Sequence, residues 1–348
     1  MTSFRKCVAG GLLAISIFGL PLVSRAAETI ELLLAHDQSQ VPDNTSLAVV
    51  ADEFRRQAGE VSGGRIKVDI LPNSMLGTNR DMALLVERNV LHSAVVPIGA
   101  AAFVFPPMLA AAVPFSFESV DVARAVMNGP FRQRLNQAMA AGTNLRLLGF
   151  VDVGGFDIVT NFDRDIEFPD DMWGLNILSS PDLPEMDALI KATGARAVKV
   201  SAREKFNALG SHALDGQTGT IDLALAQGLS AVQGHATLTN HLYAPYAWLF
   251  SRSALDALAP SDQALILKAA ETALSRTLER TIAAEKAGTS LSALYQAMKV
   301  RVLSLDEREK FRAVMQQAGE QAILSSLGPD GVRLVEEFKD AVRAARSP

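Results

Sequence analysis

Apolar and polar positions run in two rhythms along the first part of the chain, and the switch between them predicts a strand, a helix and a strand. Ile30, Leu32 and Leu34 recur at every second position, giving a short strand that ends at Ala35-His36-Asp37, where a loop rich in Ser, Gln, Pro and Asn begins. Leu47, Val50, Phe54, Ala58 and Val61 follow at three- and four-residue spacing, which predicts a helix from about Thr45 to a stop at Gly63-Gly64. Ile66, Val68 and Ile70 then restore the period of two. This order implies a right-handed parallel crossover.

Residues 62–82 carry a helix stop, an exposed-edge strand, a Pro-Asn turn and a helix start. A helix near Arg80 to Arg88, an apolar strand near Ala94 to Ile98 and a Pro-rich apolar stretch from Phe105 to Phe117 continue the alternation, so the architecture is α/β. Ligands of open parallel sheets sit outside the carboxyl ends of the strands, which makes His36, Asp37, Asn79 and Arg80 candidates for one wall of a site. For His36 and Asp37, taken alone, a satisfied loop turn or helix cap is the simpler reading. From Pro260 to about Met298 only Gly288 interrupts a run rich in Ala, Leu, Glu, Lys and Arg. Roughly 35 helical residues would reach about 50 Å, longer than one domain is wide. Such a helix either crosses between domains or breaks near Gly288.

Composition places these elements in a larger frame. The chain has 348 residues, 49% apolar and 20% charged, with no internal repeat or low-complexity stretch, and two domains are the natural expectation. Arg5 and Lys6 precede an apolar run from Val8 to Val23 and then Ser24-Arg25-Ala26, the pattern of a signal peptide over residues 1–26 cleaved after Ala26. A periplasmic location follows. Cys7 is the single cysteine and would leave with that segment, so disulfides, Fe–S clusters and thiolate zinc sites are excluded, and no cofactor is expected. Loss of Arg5, Lys6 and Arg25 would take the net charge from −5 to −8, which argues against nucleic acid and anionic membranes as partners.

Nothing in the chain spells catalysis. There is no His-Glu-x-x-His helix, Gly-x-Ser-x-Gly elbow, phosphate loop or dinucleotide fingerprint. The five histidines are scattered, and His92, His212 and His235 read as surface or capping residues. An extracytoplasmic enzyme remains an alternative because carboxylate pairs leave no short signature.

Ser62-Gly-Gly-Arg-Ile-Lys-Val, the Pro72-Asn73 turn, Leu76-Gly77 and Arg80 resemble the segment near the start of solute-binding proteins of tripartite ATP-independent periplasmic (TRAP) transporters, the dicarboxylate-binding, DctP-like family. Thr160-Asn161, Trp173-Gly174-Leu175-Asn176-Ile177, Gly194-Ala195, Leu214-Asp215-Gly216-Gln217 and Thr239-Asn240-His241-Leu242-Tyr243 follow in that family's order. The resemblance implies a periplasmic-binding-protein-like (class II) fold, two α/β lobes around a cleft with a long helix bracing both. It places residues 28–153 and 244–284 in domain I, and 154–243 and 285–348 in domain II. It also implies a small organic solute as ligand, the large and small TRAP permease subunits as membrane partners, and a monomer. A sensory binding protein serving a membrane receptor would use the same cleft.

The departures from the family pattern bear on the ligand. The resemblance sets an arginine that grips the ligand carboxylate after Gly174-Leu175-Asn176-Ile177, where this chain has Leu178. A second arginine of the pattern is replaced by Asp157 after Gly155-Phe156, an asparagine by Gly219 after Gln217, and an aromatic residue by Ala202. Leucine offers neither charge nor donor for a bidentate pair. Two readings follow: a neutral or amine ligand, with Asp157 accepting from it, or a carboxylate held by Arg80, His36, Arg203 or backbone amides. The first is favoured, since an unpartnered buried carboxylate costs several kcal/mol. The candidate ligand-binding set is therefore His36, Asp37, Asn79, Arg80, Phe156, Asp157, Leu178, Gln217, Gly219, Asn240 and Tyr243. Tyr246 and Trp248 are further aromatic neighbours, with core burial preferred for Trp248, and Trp173 is expected at a helix or loop junction.

Overall fold

The computed structural model describes residues 28–41, 45–179, 183–200, 202–243 and 245–346, without the side chains of Pro184, Ala202 and Arg203. The expected signal peptide and Cys7 lie outside the described residues, as do the side chains of Ala202 and Arg203.

The period-two segments form β1 (Ile30–His36) and β2 (Ile66–Leu71), which pair in parallel from Ile30 opposite Ile66 to Ala35 opposite Leu71. The intervening helix Ser46–Val61 is capped by Thr45, whose hydroxyl accepts from the Ala48 amide, and buries Leu47, Val50, Phe54 and Ala58. β3 (Ser93–Pro97) joins β1 on its other side. After the stretch that became helical turns at Pro106–Ala112, two helices, Val120–Asn128 and Pro130–Gly142, lead to β4 (Leu145–Val151).

The chain then enters a second sheet with β5 (Ile158–Asn161), β6 (Asn176–Leu178), β7 (Arg196–Val198), β8 (Gly216–Gly219) and β9 (His235–Leu238). It returns to the first sheet with β10 (Tyr246–Ser251) and adds β11 (Lys299–Val302) to the second. The sheets have strand orders β2-β1-β3-β10-β4 and β11-β9-β5-β8-β6-β7. β2 is an edge, as its alternation of buried Ile66 and Val68 with exposed Lys67 and Asp69 anticipates.

β10 pairs antiparallel with both β3 and β4 and is buried at all six positions. Its alternation divides the packing: Tyr246, Trp248 and Phe250 enter one core cluster with Phe54 and Ile266, while Ala247 and Leu249 enter the other with Leu145 and Met82. Trp248 meets Phe54 edge-on at 5.0 Å and donates from Nε1 to Ser93 Oγ at 2.8 Å, which satisfies its one polar atom inside the core. The larger of these clusters runs from the first sheet into Val159 and Ile177 of the second, so the lobes share apolar contact. A third cluster, with Leu209, Leu214 and Leu294, lies within the second lobe.

The long helix runs Pro260–Lys286 and stops one turn short of a continuous span: Gly288, at φ +64°, turns the chain into a separate helix Thr289–Ala297. Its buried Ile266, Ala269, Ala270 and Ala273 pack against the Phe54 cluster. The C-terminal end differs from the expected division. Helix Leu305–Ser326 packs on Pro184–Ala192 of the second lobe, but helix Pro329–Arg346 lies against 106–112 and Val120–Asn128 of the first. Phe338 explains why, because it docks edge-on between Phe117 at 5.6 Å and Phe131 at 5.2 Å.

Candidate functional site

The chain crosses between sheets from β4 to β5 and from β9 to β10, and both crossings are tied by hydrogen bonds. Asp152 Oδ1 accepts from the Gly154 and Gly155 amides at 3.0 and 2.9 Å, a turn these two residues make at φ +103° and +81°. Its other oxygen accepts from Arg124 Nε at 2.7 Å, and Arg124 reaches Glu285 near the end of the long helix at 2.8 Å. Thr220 Oγ1 of the second lobe donates to the Val153 carbonyl at 2.6 Å. On the return crossing, the Asp157 amide donates to the Leu242 carbonyl at 2.8 Å and Phe156 bridges Tyr243.

At the carboxyl end of β1 the candidates come together. Asp37 Oδ2 accepts from Asn79 Nδ2 at 2.9 Å and from the Tyr246 hydroxyl at 3.4 Å, and its Oδ1 accepts from Gln38 at 3.1 Å. His36 is fully buried, with Nε2 bonded to Gln40 Oε1 at 2.7 Å, and burial lowers its pKa against the pull of Gln40 and Asp37. Arg80 lies over the Phe103 ring at 4.7 Å.

The second lobe contributes a cation that sequence reasoning missed. Lys205, on helix Ala202–Gly210, hydrogen-bonds to Gln227 Oε1 and comes within electrostatic range of Asp37. Burial draws its pKa down to about 8, with Asp37 pulling back. The signal was present in the spacing: Lys205 precedes fully buried Leu209 by one turn and so falls on the inward stripe.

Asp157 sits at the hinge end of this group, 8% exposed, close enough to Tyr246 for its charge to be felt there. Among the described residues no side-chain donor serves its carboxylate, and burial pushes its pKa up to about 7. The remaining candidates divide into two further sets. Leu178 and Gln217 are register partners on β6 and β8, with Gly219 at the end of β8; Leu178 packs toward the Leu209 cluster and presents no polar atom. Gln217 is buried and its amide lies 3.8 Å from where a Gly219 Cβ would stand. Tyr243 packs edge-on against Phe117 and Phe156 at 5.8 and 5.9 Å and directs its hydroxyl toward Asp152. Arg308 covers the Phe156 ring at 5.6 Å and donates to the Asn240 carbonyl at 3.0 Å, so the Asn240 main chain serves the joint between lobes. Trp173 is 73% exposed and stands against Gly194, whose Cβ would lie 2.5 Å from its ring.

Among the described residues no three His, Cys, Asp or Glu side chains are grouped to hold a metal ion, and no helix is long and apolar enough to cross a membrane. Two α/β lobes joined by hydrogen-bonded crossings define a protein of the periplasmic-binding-protein-like fold.

Residues 38–325 match the family described as bacterial extracellular solute-binding protein, family 7, and the chain belongs to that family. A solute-binding protein of Verminephrobacter eiseniae is 29% identical over 227 residues, 65% of this chain and 67% of its own length. The 2,3-diketo-L-gulonate-binding periplasmic protein of Escherichia coli is 24% identical over 327 residues, 94% of this chain and 98% of its own. The sugar acid binding protein of Advenella mimigardefordensis, solved in complex with galactonate, superimposes with a TM-score of 0.82 at 24% identity, covering 91% of this chain and 99% of its own. The chain is thus a TRAP-type solute-binding receptor and not an enzyme.

Proposed function

We propose that this receptor captures a small organic solute carrying an amine, or a neutral polar solute, and delivers it to a TRAP permease in the periplasm after export through its N-terminal signal peptide. The observation that carries the reading is Asp157: a buried carboxyl with no side-chain donor among the described residues stands where the family resemblance sets a guanidinium. An ammonium or hydroxyl group is the partner such a carboxylate lacks, and a ligand carboxylate beside it would meet a like charge at low dielectric. Leu178 supports the same reading, because its side chain packs against the Leu209 cluster and offers neither charge nor donor.

Closure of the lobes would couple occupancy to the shape presented to the permease, since a ligand shifts a two-state equilibrium only by its differential affinity for the two forms. The hydrogen-bonded crossings at Asp152 and Asp157 are suited to that motion.

A thermal-shift screen of the mature chain against amines, neutral polyols and organic acids tests the proposal. Amines or polyols should raise the melting temperature, by the equivalent of about 2.7 kcal/mol at 100 times the dissociation constant. Stabilisation by simple carboxylates alone, undiminished in Asp157→Asn, would refute it.

A further inference from the structure

A cavity of about 400 Å³ lies beside the first crossing, and none of the candidate ligand-binding residues lines it. Its walls come from both lobes. The first lobe supplies Ser46 and Leu47 at the start of helix Ser46–Val61, together with Arg280 and Thr281 of the long helix. The second supplies Asp222 and Leu223 of helix Ile221–Ala226 and Ser290 of helix Thr289–Ala297, and Val153 of the crossing completes the lining.

Each wall is fastened to its own lobe. Ser46 Oγ lies 3.4 Å from Thr281 Oγ1, which ties the start of the first helix to the long one. Thr220 donates to the Val153 carbonyl at 2.6 Å and accepts from the Leu223 amide at 3.3 Å, so helix Ile221–Ala226 rides on the crossing. Asp222 stands so near Gly154 that a Cβ there would lie 2.7 Å from its Cγ, and it accepts from Ser290. Bending at Val153 and Gly154 therefore changes the gap between the walls.

The chemistry of the lining selects what fills that gap. The hydroxyls of Ser46, Thr281 and Ser290 can each donate and accept, while Leu47 and Leu223 offer apolar surface. Asp222 and Arg280 have opposite signs, so an anion would meet the carboxylate and a cation the guanidinium, each after losing its own hydration. A neutral molecule with hydroxyls along its edge and C–H groups on its face suits both kinds of wall. The volume falls near the lower end of the roughly 300–1,000 Å³ usual for small-molecule sites. We propose that this cavity is a second solute site, for a neutral polyol or monosaccharide, whose occupancy biases the arrangement of the lobes. A molecule touching both walls binds the present arrangement more tightly than one in which the walls have separated, and that difference shifts the equilibrium. The coupling rests on the lobe closure proposed above, whereas the site itself stands apart from Asp157.

The test is calorimetric titration of the mature chain, Ala284→Trp, Ser290→Ala and Asp157→Asn with ribitol, mannitol and glucose. Ala284 lines the cavity from an exposed position on the long helix, so an indole there fills the space without entering the core, and unliganded melting temperatures confirm that each variant folds. At least one of the three compounds should bind the parent chain saturably. Ala284→Trp should weaken that binding by about tenfold or more, Ser290→Ala by less, and Asp157→Asn should retain it. Spin labels on Lys67→Cys and Lys191→Cys, exposed positions on the two lobes, should report a changed distance distribution when the same compound is added, and no change when Ala284→Trp is present. Absence of binding by all three compounds overturns the site and leaves the amine reading to its own screen. Binding lost in Asp157→Asn but kept in Ala284→Trp places the compound in the cleft, which overturns the second site while favouring the neutral-solute reading above. Binding blocked by Ala284→Trp with label distances unmoved in the parent overturns the coupling to the lobes.

Discussion

Arg124 Nε donates to Asp152 Oδ2 at 2.7 Å with both side chains buried, and this pair fixes the first crossing between the lobes to a helix of the first. Asp152 spends its second oxygen on the Gly154 and Gly155 amides, so the guanidinium holds a carboxylate that itself shapes the turn. Removing one member of such a pair strands the other in low dielectric, at about 3–5 kcal/mol. Arg124→Met should therefore lower the urea midpoint strongly. The double variant Arg124→Met, Asp152→Asn should recover part of the loss, because the carboxylate it leaves without Arg124, Glu285, is half exposed and no buried ion is stranded. Equal midpoints for the single and double variants would mean that Asp152 is held by its backbone donors alone.

Gly216 of the Asp-Gly-Gln segment faces β5 so closely that a Cβ would stand 2.3 Å from the Thr160 carbonyl oxygen and 3.0 Å from Ile177 Cδ1. The backbone oxygen cannot move without breaking the pairing of β5 and β8, in which Asn161 faces Gly216 and Thr160 faces Gln217. Gly216→Ala should cost about 1–3 kcal/mol or more by overpacking. Gly59, inside helix Ser46–Val61 with nothing within 4 Å of its Cβ position, makes the opposite case: Gly59→Ala should stabilise by about 1 kcal/mol. Denaturation midpoints that move in the same direction for both would contradict this account.

Glu185 gives the fold a definite pH dependence. It is fully buried, neither carboxyl oxygen has a partner among the described residues, and burial raises its pKa to about 8. A raised carboxyl pKa means that the folded chain keeps a proton the unfolded chain releases, so the contribution is fully present below the ordinary carboxylate range and is lost as pH climbs through 8. Asp157 acts the same way up to about 7. His241 acts oppositely: its pKa, lowered to about 4 by burial and then by the charge of Arg308, gives stability that is lost as pH falls from 6.5 toward 4. Stability should consequently decline between pH 6.5 and 8, where the raised carboxyls outweigh the other groups. Glu185→Gln should flatten that decline and gain on the order of a few kcal/mol at pH 8 relative to pH 5. A pH profile parallel to that of the parent chain would show that Glu185 is ionised in the fold.

The parts of the molecule legible in the sequence were those governed by local rhythm. The period-two run at Ile66, Val68 and Ile70 became β2 at an edge, and the three-and-four spacing from Leu47 to Val61 became a capped helix, because each pattern states which face is buried. Phe338 is a contrary case. Its helix is amphipathic by pattern, but which lobe receives it depends on Phe117 and Phe131, more than 200 residues earlier, and no local signal carries that choice. The site divides similarly. Asp37 and Asn79 were marked by their place beyond a parallel strand, and the structure joins them by a hydrogen bond. Lys205 was visible in principle from its one-turn spacing to Leu209. Its nearness to Asp37 needed the lobes to be assembled.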